Sequence, residues 1–290
     1  MNPRPGPLTG LRIVSLALNL PGPAALMRCR ELGAECRKIE PPSGDPMSRY
    51  EPQAYEALHA GIAVEQVDLK QPEGRAALDR HLETADVLLT SFRSSALRRL
   101  GLDAASLETR HPHLHVVAIV GAPGEAAEIP GHDLTYQAEQ DLVPGVDVPP
   151  SLFADMGGAL LAVQAVLVAA LDKARPGAGG RGRWHEVALV DAARFLALPR
   201  RWTLTQSSGT VGGAHAGYRV YRCRDGRVAV AALEPHFAAA LARAAGLDTS
   251  ADMYAPATHE AIARYLRERT REELDRLASE QDVPLHTLPP

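Results

Sequence analysis

The sequence predicts an α/β protein with a doubly wound parallel sheet in its larger N-terminal part and a smaller α+β part after it. An apolar strand at residues 11–16 is followed by a helix at 24–32 and a second strand at 35–40, which is the unit of such sheets. Short apolar strands and helices then alternate to about residue 198. After residue 203 the composition shifts to Ser, Thr and Gly, and Asp225-Gly226 predicts a β-hairpin.

The remaining strands and helices are predicted from the same kinds of residue pattern. Strands are predicted at 64–69, 86–90, 115–120, 184–189, 218–222 and 227–232. Helices are predicted at 72–82, 94–100, 104–109, from Asp155 to about 173, at 190–198, at 235–245, and at 259–279 with a break near Thr270. The predicted organisation is a large domain over 1–200, a linker over 201–213 and a small domain over 214–290.

Composition excludes several classes of protein. The 290 residues are 46% hydrophobic and 23% charged, with a net charge of −4, which favours neither a nucleic-acid nor a membrane partner. Three cysteines are too few for a disulfide framework, and no leader peptide is evident, so we expect a cytoplasmic location. The apolar run at 157–171 is shorter than the roughly 20 residues that span a bilayer, so we expect a buried helix there.

The stretch from Gly131 to Gly158 holds the candidate chemistry. His132 and Asp155 lie on either side of a Pro-containing loop, immediately before that apolar run. An imidazole and a carboxyl group can exchange protons with carbon, and the N–H groups that open a helix could stabilise charge on a neighbouring oxygen. The alternative is that Asp155 only caps the helix and His132 is an ordinary loop histidine. The first strand–helix turn lacks G-x-G-x-x-G, which disfavours a dinucleotide cofactor.

A set of short motifs occurs in one order along the chain. They are Gly22-Pro23, residues 31–46, Asp68-Leu69-Lys70, residues 85–88, Phe92-Arg93, Gly131-His132-Asp133, Ala154-Asp155, residues 180–183, Asp225-Gly226 and Glu234-Pro235. In order and spacing they resemble the family III CoA-transferases (CaiB/BaiF family), which include the alpha-methylacyl-CoA racemases. The resemblance runs from about residue 11 to 284.

The resemblance implies the family III CoA-transferase fold: a Rossmann-like large domain, a smaller α+β domain and an interlocked homodimer. It also implies an acyl-CoA thioester as substrate, with no metal and no cofactor beyond the CoA of that substrate. In the transferases the aspartate matched by Asp155 attacks the thioester and carries the acyl group. In the racemases that aspartate and the histidine of Gly-His-Asp work from opposite faces of the α-carbon.

The same resemblance assigns the site residues. His132, Asp155 and Glu234 match the three racemase positions, with Glu234 reaching the site from the small domain, and Lys38, Arg49 and Arg93 match positions that contact CoA. Because transferases generally lack the histidine, His132 favours racemisation of 2-methylacyl-CoA over CoA transfer through Asp155.

Departures from the family pattern keep a third interpretation open, an inactive relative that binds CoA or a partner subunit. Residues 60–63, before Asp68-Leu69-Lys70, carry no charge where the family has a basic stretch, and the segment between His132 and Asp155 is short. The return of the chain to the large domain, which the family makes after the small domain, is expected to be missing here.

Overall fold

The computed structural model describes residues 6–175 and 180–290, which divide into two compact units between Ala197 and Leu198. The glycine-rich stretch at 176–179, part of a predicted flexible loop, lies outside the described residues. The segment predicted as a linker groups with the second unit and contains a 3-10 turn at Thr210–Gly212. The domain bounds themselves stay a prediction.

The first unit is built on one sheet of six parallel strands in the order β3-β2-β1-β4-β5-β6. Its strands are β1 (Arg12–Ser15), β2 (Glu35–Glu40), β3 (Ala63–Gln66), β4 (Val87–Thr90), β5 (His115–Val120) and β6 (Trp184–Ala188). This is the doubly wound arrangement predicted from the alternation of strands and helices.

The apolar strands form because both faces of the sheet are covered. All six residues of β5 and all four of β4 are buried, as expected for strands without a solvent face. Neighbouring residues enter different cores because side chains alternate along a strand: Ile13 packs in one hydrophobic cluster and Val14 in the other.

Helices cover both faces of this sheet. They are α1 (Pro21–Glu31), α2 (Met47–Tyr50), α3 (Pro52–His59), α4 (Pro72–Leu82), α5 (Ser94–Leu100), α6 (Ala104–Arg110), α7 (Asp133–Glu139), α8 (Phe153–Ala174) and α9 (Leu189–Leu196), with a 3-10 helix at Gly124–Glu128. The sequence patterns missed α2, α3 and α7. These helices are short and too poor in apolar residues to show a helical period.

Helix α8 is longer than its apolar run. It has 22 residues, so its length and composition would suffice to cross a membrane, and the expectation that this segment is too short was wrong. One face of α8 nevertheless belongs to the core of the unit, where Ala159, Ala162 and Val166 are at most 3% exposed. We interpret α8 as a core helix, as predicted, because it packs on α1, α9 and β5.

The second unit combines an antiparallel sheet with four helices. The strands β7 (Tyr218–Cys223), β8 (Gly226–Ala231) and β9 (Leu285–Leu288) pair in the order β7-β8-β9. The helices are α10 (Leu198–Arg201), α11 (Pro235–Ala244), α12 (Pro256–Arg267) and α13 (Arg271–Gln281). The predicted hairpin is confirmed, whereas β9, which is held in place by pairing with β8, was not predicted.

The predicted break near Thr270 has a local cause. Thr270 caps α13: its side chain accepts from the N–H of Glu273, and the Glu273 carboxylate accepts from the N–H of Thr270. This reciprocal capping box begins a new helix rather than continuing α12.

Candidate active site

The site lies where the strand order reverses. Strands β1 and β4 are neighbours in the sheet, and the chain leaves their carboxyl ends toward opposite sides, which opens a crevice. A cavity of about 180 Å³ is found there. Its wall includes Asn19 after β1, Phe92 and Arg93 after β4, and Gly121 after β5.

His132 and Asp155 line this same cavity. His132 directly precedes α7, and its backbone N–H donates to Oγ1 of Thr135 (3.1 Å), so the first turn of α7 fixes the backbone there. The side chain of His132 is exposed and that of Asp155 is half-buried. The two groups predicted from sequence to act together are therefore placed together.

Asp133 fixes the position of Asp155. The carboxylate of Asp133 is buried, and its Oδ1 accepts from the backbone N–H of Asp155 (2.9 Å). Its Oδ2 accepts from Nε2 of Gln137, which also donates to the carbonyl of Ser151 (3.0 Å). Side chains of α7 thereby hold the loop end and the first turn of α8.

The Asp155 carboxyl group is poised to exchange a proton near neutral pH. Burial, and next the negative charge of Asp133, raise its pKa from 3.8 to about 7. Neither carboxylate oxygen of Asp155 accepts a hydrogen bond from residues 6–175 or 180–290. The alternative that Asp155 only caps the helix is disfavoured, because Asp155 lies inside the first turn and α8 has no side-chain cap.

The two predicted arginine contacts to CoA differ in placement. Arg93 is exposed and lines the cavity. Among the described residues, Arg49 lies outside the cavity lining, on α2, with its Nη1 donating to the carbonyl of Ser43 (2.9 Å). Of these two arginines, Arg93 is thus the one that faces the cavity.

Lys38 is placed differently from expectation. Its side chain is fully buried, and Nζ lies 2.5 Å from Oδ2 of Asp45, 3.1 Å from Oε1 of Glu40 and 2.8 Å from Nε2 of His59. We call these four residues the Lys38 cluster. Because the ammonium is sealed in by these partners, Lys38 is not placed to contact a phosphate from the surface, and we do not retain it as a CoA contact.

The acidic and imidazole members of the Lys38 cluster could together offer three ligands to a metal ion. The Lys38 ammonium lies within 3.1 Å of all three residues and supplies the positive charge that a cation would bring. Burial lowers the pKa of His59, so its neutral ring donates from Nδ1 to the carbonyl of Tyr55 and accepts from Lys38 at Nε2. The chemistry of the cluster is that of an internal ion network.

Glu234 lies in the second unit, as the residue directly before α11, and its side chain is exposed. Its carbonyl accepts from the N–H of Ala238 (2.9 Å), so its backbone begins the helix. Its role as an assisting catalytic group stays a prediction.

Tyr136 was missed by sequence reasoning, although it lines the cavity with His132 and Asp155. A usable signal was present: Tyr136 follows His132 by four residues, which is one helical turn, so both belong to one face of a helix. The signal was lost because α7 was not predicted.

A second, larger cavity of about 350 Å³ lies at the opposite edge of the sheet, beside Asp86, His115 and Arg183. These residues precede or begin β4, β5 and β6 and therefore mark the amino ends of the strands. Ligands of doubly wound sheets bind at the carboxyl ends, so we assign the smaller cavity as the candidate active site.

Known proteins match this chain in sequence and in fold. The model of "CoA-transferase family III" matches residues 8–288. The alpha-methylacyl-CoA racemase of Homo sapiens is 28% identical over 258 residues, which cover 83% of this chain and 65% of the racemase. The cinnamoyl-CoA:phenyllactate CoA-transferase of Clostridium sporogenes is 30% identical over 207 residues, 64% of this chain and 50% of that enzyme. The chain thus spans about half to two thirds of the length of these relatives.

The fold is shared as well. The crystal structure of a CaiB/BaiF family protein from Brucella suis superposes with a TM-score of 0.80 at 25% identity, covering 97% of this chain and 84% of that one. The relatives include both racemases and CoA-transferases, enzymes of two chemistries on one scaffold. With a family model matching nearly all of its length, this chain belongs to CoA-transferase family III.

Proposed function

We propose that this chain racemises 2-methylacyl-CoA thioesters by reversible proton exchange at C2, with His132 and Asp155 as the two acid/base groups and Glu234 assisting. The observation that carries the proposal is the presence of His132 and Asp155 at one cavity, with the pKa of Asp155 raised to about 7. A carboxyl group of ordinary pKa would be almost fully ionised at neutral pH and would be a poor proton donor.

The mechanism needs one group to remove the C2 proton while the other holds a proton to return. Histidine titrates naturally near neutral pH, and Asp155 is brought into the same range by burial and by Asp133. Either group can then act as base or acid, which makes exchange reversible in both directions. The electrons of the broken C–H bond pass to the thioester oxygen as an enolate and return to C2 when the proton is restored.

The substrate's CoA is the only cofactor-like group in this proposal. Arg93, exposed at the cavity, is the residue best placed to bind its anionic phosphates. Arg49 is a weaker candidate because it lies outside the cavity lining.

The test is mass spectrometry of a 2-methylacyl-CoA incubated with the protein in D2O. We expect deuterium at C2 with the wild-type protein and a loss of at least about 1,000-fold in rate for His132→Ala and for Asp155→Asn. His113→Ala, which removes an exposed histidine of the larger cavity, is the matched control and should keep the wild-type rate. Absence of exchange in the wild-type protein would refute racemisation.

CoA transfer through Asp155 is the second candidate. Its support is the Asp155 carboxylate, whose oxygens accept no hydrogen bond from the described residues and are therefore free to attack a thioester. Incubation of an acyl-CoA with a free carboxylic acid would show CoA migration that Asp155→Asn abolishes. If neither exchange nor migration occurs, the inactive CoA-binding relative remains, and calorimetry with CoA alone tests it.

The homodimer and the cytoplasmic location stay predictions. Several apolar side chains of α8 and α9 are exposed in the single chain, among them Leu160 at 65%, Leu171 at 66% and Phe195 at 68%. Such a surface favours a second copy as its partner. Light scattering of the purified chain would distinguish a dimer from a monomer.

A further inference from the structure

Tyr136 presents a hydroxyl group to the active-site cavity. The residue lies on α7 and is only 7% exposed, yet it is part of the cavity wall with His132 and Asp155. Its hydroxyl passes between two glycines. A Cβ atom at Gly131 would lie 2.5 Å from the hydroxyl oxygen, and one at Gly121 would lie even closer. The absence of side chains at these glycines is what admits the hydroxyl.

This hydroxyl has no hydrogen-bond partner among residues 6–175 and 180–290. The hydroxyl oxygen lies open to the cavity, so a bound ligand can supply the acceptor that the described residues do not. Two other tyrosines that are buried or half-buried do have acceptors: the hydroxyl of Tyr55 donates to Glu40 (2.9 Å) and that of Tyr221 donates to the carbonyl of Ala216 (2.7 Å). Tyr136 therefore stands out among the buried tyrosines as a donor held open at the cavity.

The other expected donors are already used. The opening of α8 was predicted to stabilise charge on a substrate oxygen, but the N–H of Asp155 donates to Asp133 (2.9 Å) and that of Met156 donates to the carbonyl of Leu152 (2.9 Å). The two preceding residues of the helix, Phe153 and Ala154, are not in the cavity lining found for the described chain. The first turn of α8 thus offers the cavity no N–H group that is both free and exposed to it.

We propose that Tyr136 is a further catalytic residue, whose hydroxyl donates a hydrogen bond to the acyl oxygen of the bound thioester. The inference rests on the proposed function and names the group that stabilises its intermediate. When the C2 proton moves to His132 or Asp155, negative charge develops on that oxygen, and the hydrogen bond from Tyr136 strengthens. The hydroxyl keeps its own proton throughout, so the proton balance of the exchange is unchanged.

The ionisation of Tyr136 is consistent with this role. Its pKa is raised, first by burial and then by the nearby charges of Asp155 and Glu139, against a smaller opposing effect of Arg93. Tyr136 therefore remains protonated over the pH range in which Asp155 titrates. A donor that stays protonated can serve both directions of the exchange.

The experiment compares the wild-type protein with Tyr136→Phe, which keeps the packed ring and removes only the oxygen. We expect kcat for C2 exchange to fall about 100-fold while KM changes by less than about 3-fold, because the bond is strongest in the transition state. Tyr265→Phe on α12, the matched control, should leave both unchanged. Gly121→Ala should lower kcat similarly, because its methyl group would displace the hydroxyl.

A second readout does not depend on turnover. Isotope-edited infrared difference spectra of a bound acyl-CoA carrying ¹³C at C1 report the hydrogen bond to the thioester carbonyl directly. We expect the carbonyl band at lower frequency in the wild-type protein than in Tyr136→Phe.

The two readouts separate the two claims. An unchanged exchange rate in Tyr136→Phe, or an unchanged carbonyl band, would overturn the role of Tyr136 while leaving proton exchange by His132 and Asp155 intact. If the wild-type protein shows no exchange but the carbonyl band still depends on Tyr136, the proposed function fails and the hydrogen bond from Tyr136 stands.

Discussion

Two groups of buried ionisable side chains in the first unit are treated in opposite ways. In the Lys38 cluster every group has partners: Lys38 contacts two carboxylates and an imidazole, and Asp45 also accepts from the backbone N–H groups of Asn19 (3.1 Å) and Met47 (3.0 Å). In the cavity, the Asp155 carboxylate and the Tyr136 hydroxyl have no hydrogen-bond partner among the described residues. Buried polar groups thus have protein partners in the Lys38 cluster, whereas in the cavity they are left without them.

The difference separates structural from catalytic use of polar groups. Buried charges that are mutually satisfied fix the local backbone, and here they hold Asn19 at a positive φ of 63° beside the cavity. Unsatisfied groups cost stability and persist where a substrate provides the missing partner. The comparison predicts that mutations in the two regions will change stability in opposite directions.

The largest effect is expected at the centre of the Lys38 cluster. Lys38→Met removes the cation and leaves Glu40 and Asp45 buried without compensation, so the free energy of unfolding should fall by about 3–5 kcal/mol. Arg28→Met is the matched control, because Arg28 pairs with Glu31 (2.7 Å), both side chains are about half exposed, and such pairs contribute at most about 1 kcal/mol. Urea unfolding at pH 7 measures both, and equal losses would contradict the distinction.

A smaller effect of opposite sign is expected at Asp155. Its folded-state pKa of about 7 lies above the ordinary value of 3.8, so the folded protein binds more protons between these values and loses stability as the pH rises. In the Asp155→Asn variant, the side chain at this position carries no charge at any pH. The substitution should therefore raise the free energy of unfolding by about 2 kcal/mol at pH 8, with allowance for solvent screening at an open cavity, and leave it unchanged at pH 4.

Urea unfolding curves of the wild-type protein and of Asp155→Asn between pH 4 and pH 8 measure the sign of this change in the free energy of unfolding. A stabilisation that is the same at pH 4 and pH 8 would show that ionisation of Asp155 is not its cause. A destabilisation at pH 8 would show that the carboxylate has partners.

The smallest effect concerns substrate binding, and it compares an arginine that lines the cavity with one that does not. Arg93→Gln should raise KM for an acyl-CoA about 10-fold with little change in kcat, because it removes binding energy common to ground and transition states. Arg49→Gln removes a similar exposed charge that lies outside the cavity lining and should change KM by less than about 2-fold. Steady-state kinetics of the exchange reaction measures both, and the reverse ranking would place the CoA phosphates near α2 instead.

Much of the fold could be predicted because local patterns and the final structure agree. The strands β2 and β5 and the helices α4 and α5 lie at the predicted positions, since the Gly and Pro turns and the local residue patterns that mark them are encoded within a few residues. The elements that were missed depend on distant partners. β9 forms only by pairing with β8. Helix α7 is held by Asp133, which accepts from the N–H of Asp155 in α8, and by Gln137, which donates to the carbonyl of Ser151 just before α8.

The site was predictable in its principal residues but not in its electrostatics. His132 and Asp155 could be paired from the Gly-His-Asp motif and from family resemblance. The burial of Lys38 could not, since it depends on Asp45 and His59, which lie 7 and 21 residues further along the chain. The open hydroxyl of Tyr136 depends in the same way on Gly121, which approaches from the end of β5.

The most direct test of the contrast between the Lys38 cluster and the cavity is the titration of Asp155 itself. It can be followed by ¹³C NMR of protein labelled at the aspartate carboxyl carbons, with Asp155→Asn to assign the signal. We predict a midpoint near pH 7 in the wild-type protein, and a lower midpoint in Asp133→Asn, which removes the neighbouring negative charge. A midpoint near pH 4 would show that Asp155 is solvated or partnered like an ordinary carboxylate, and it would contradict the view that the cavity holds this group open for proton exchange.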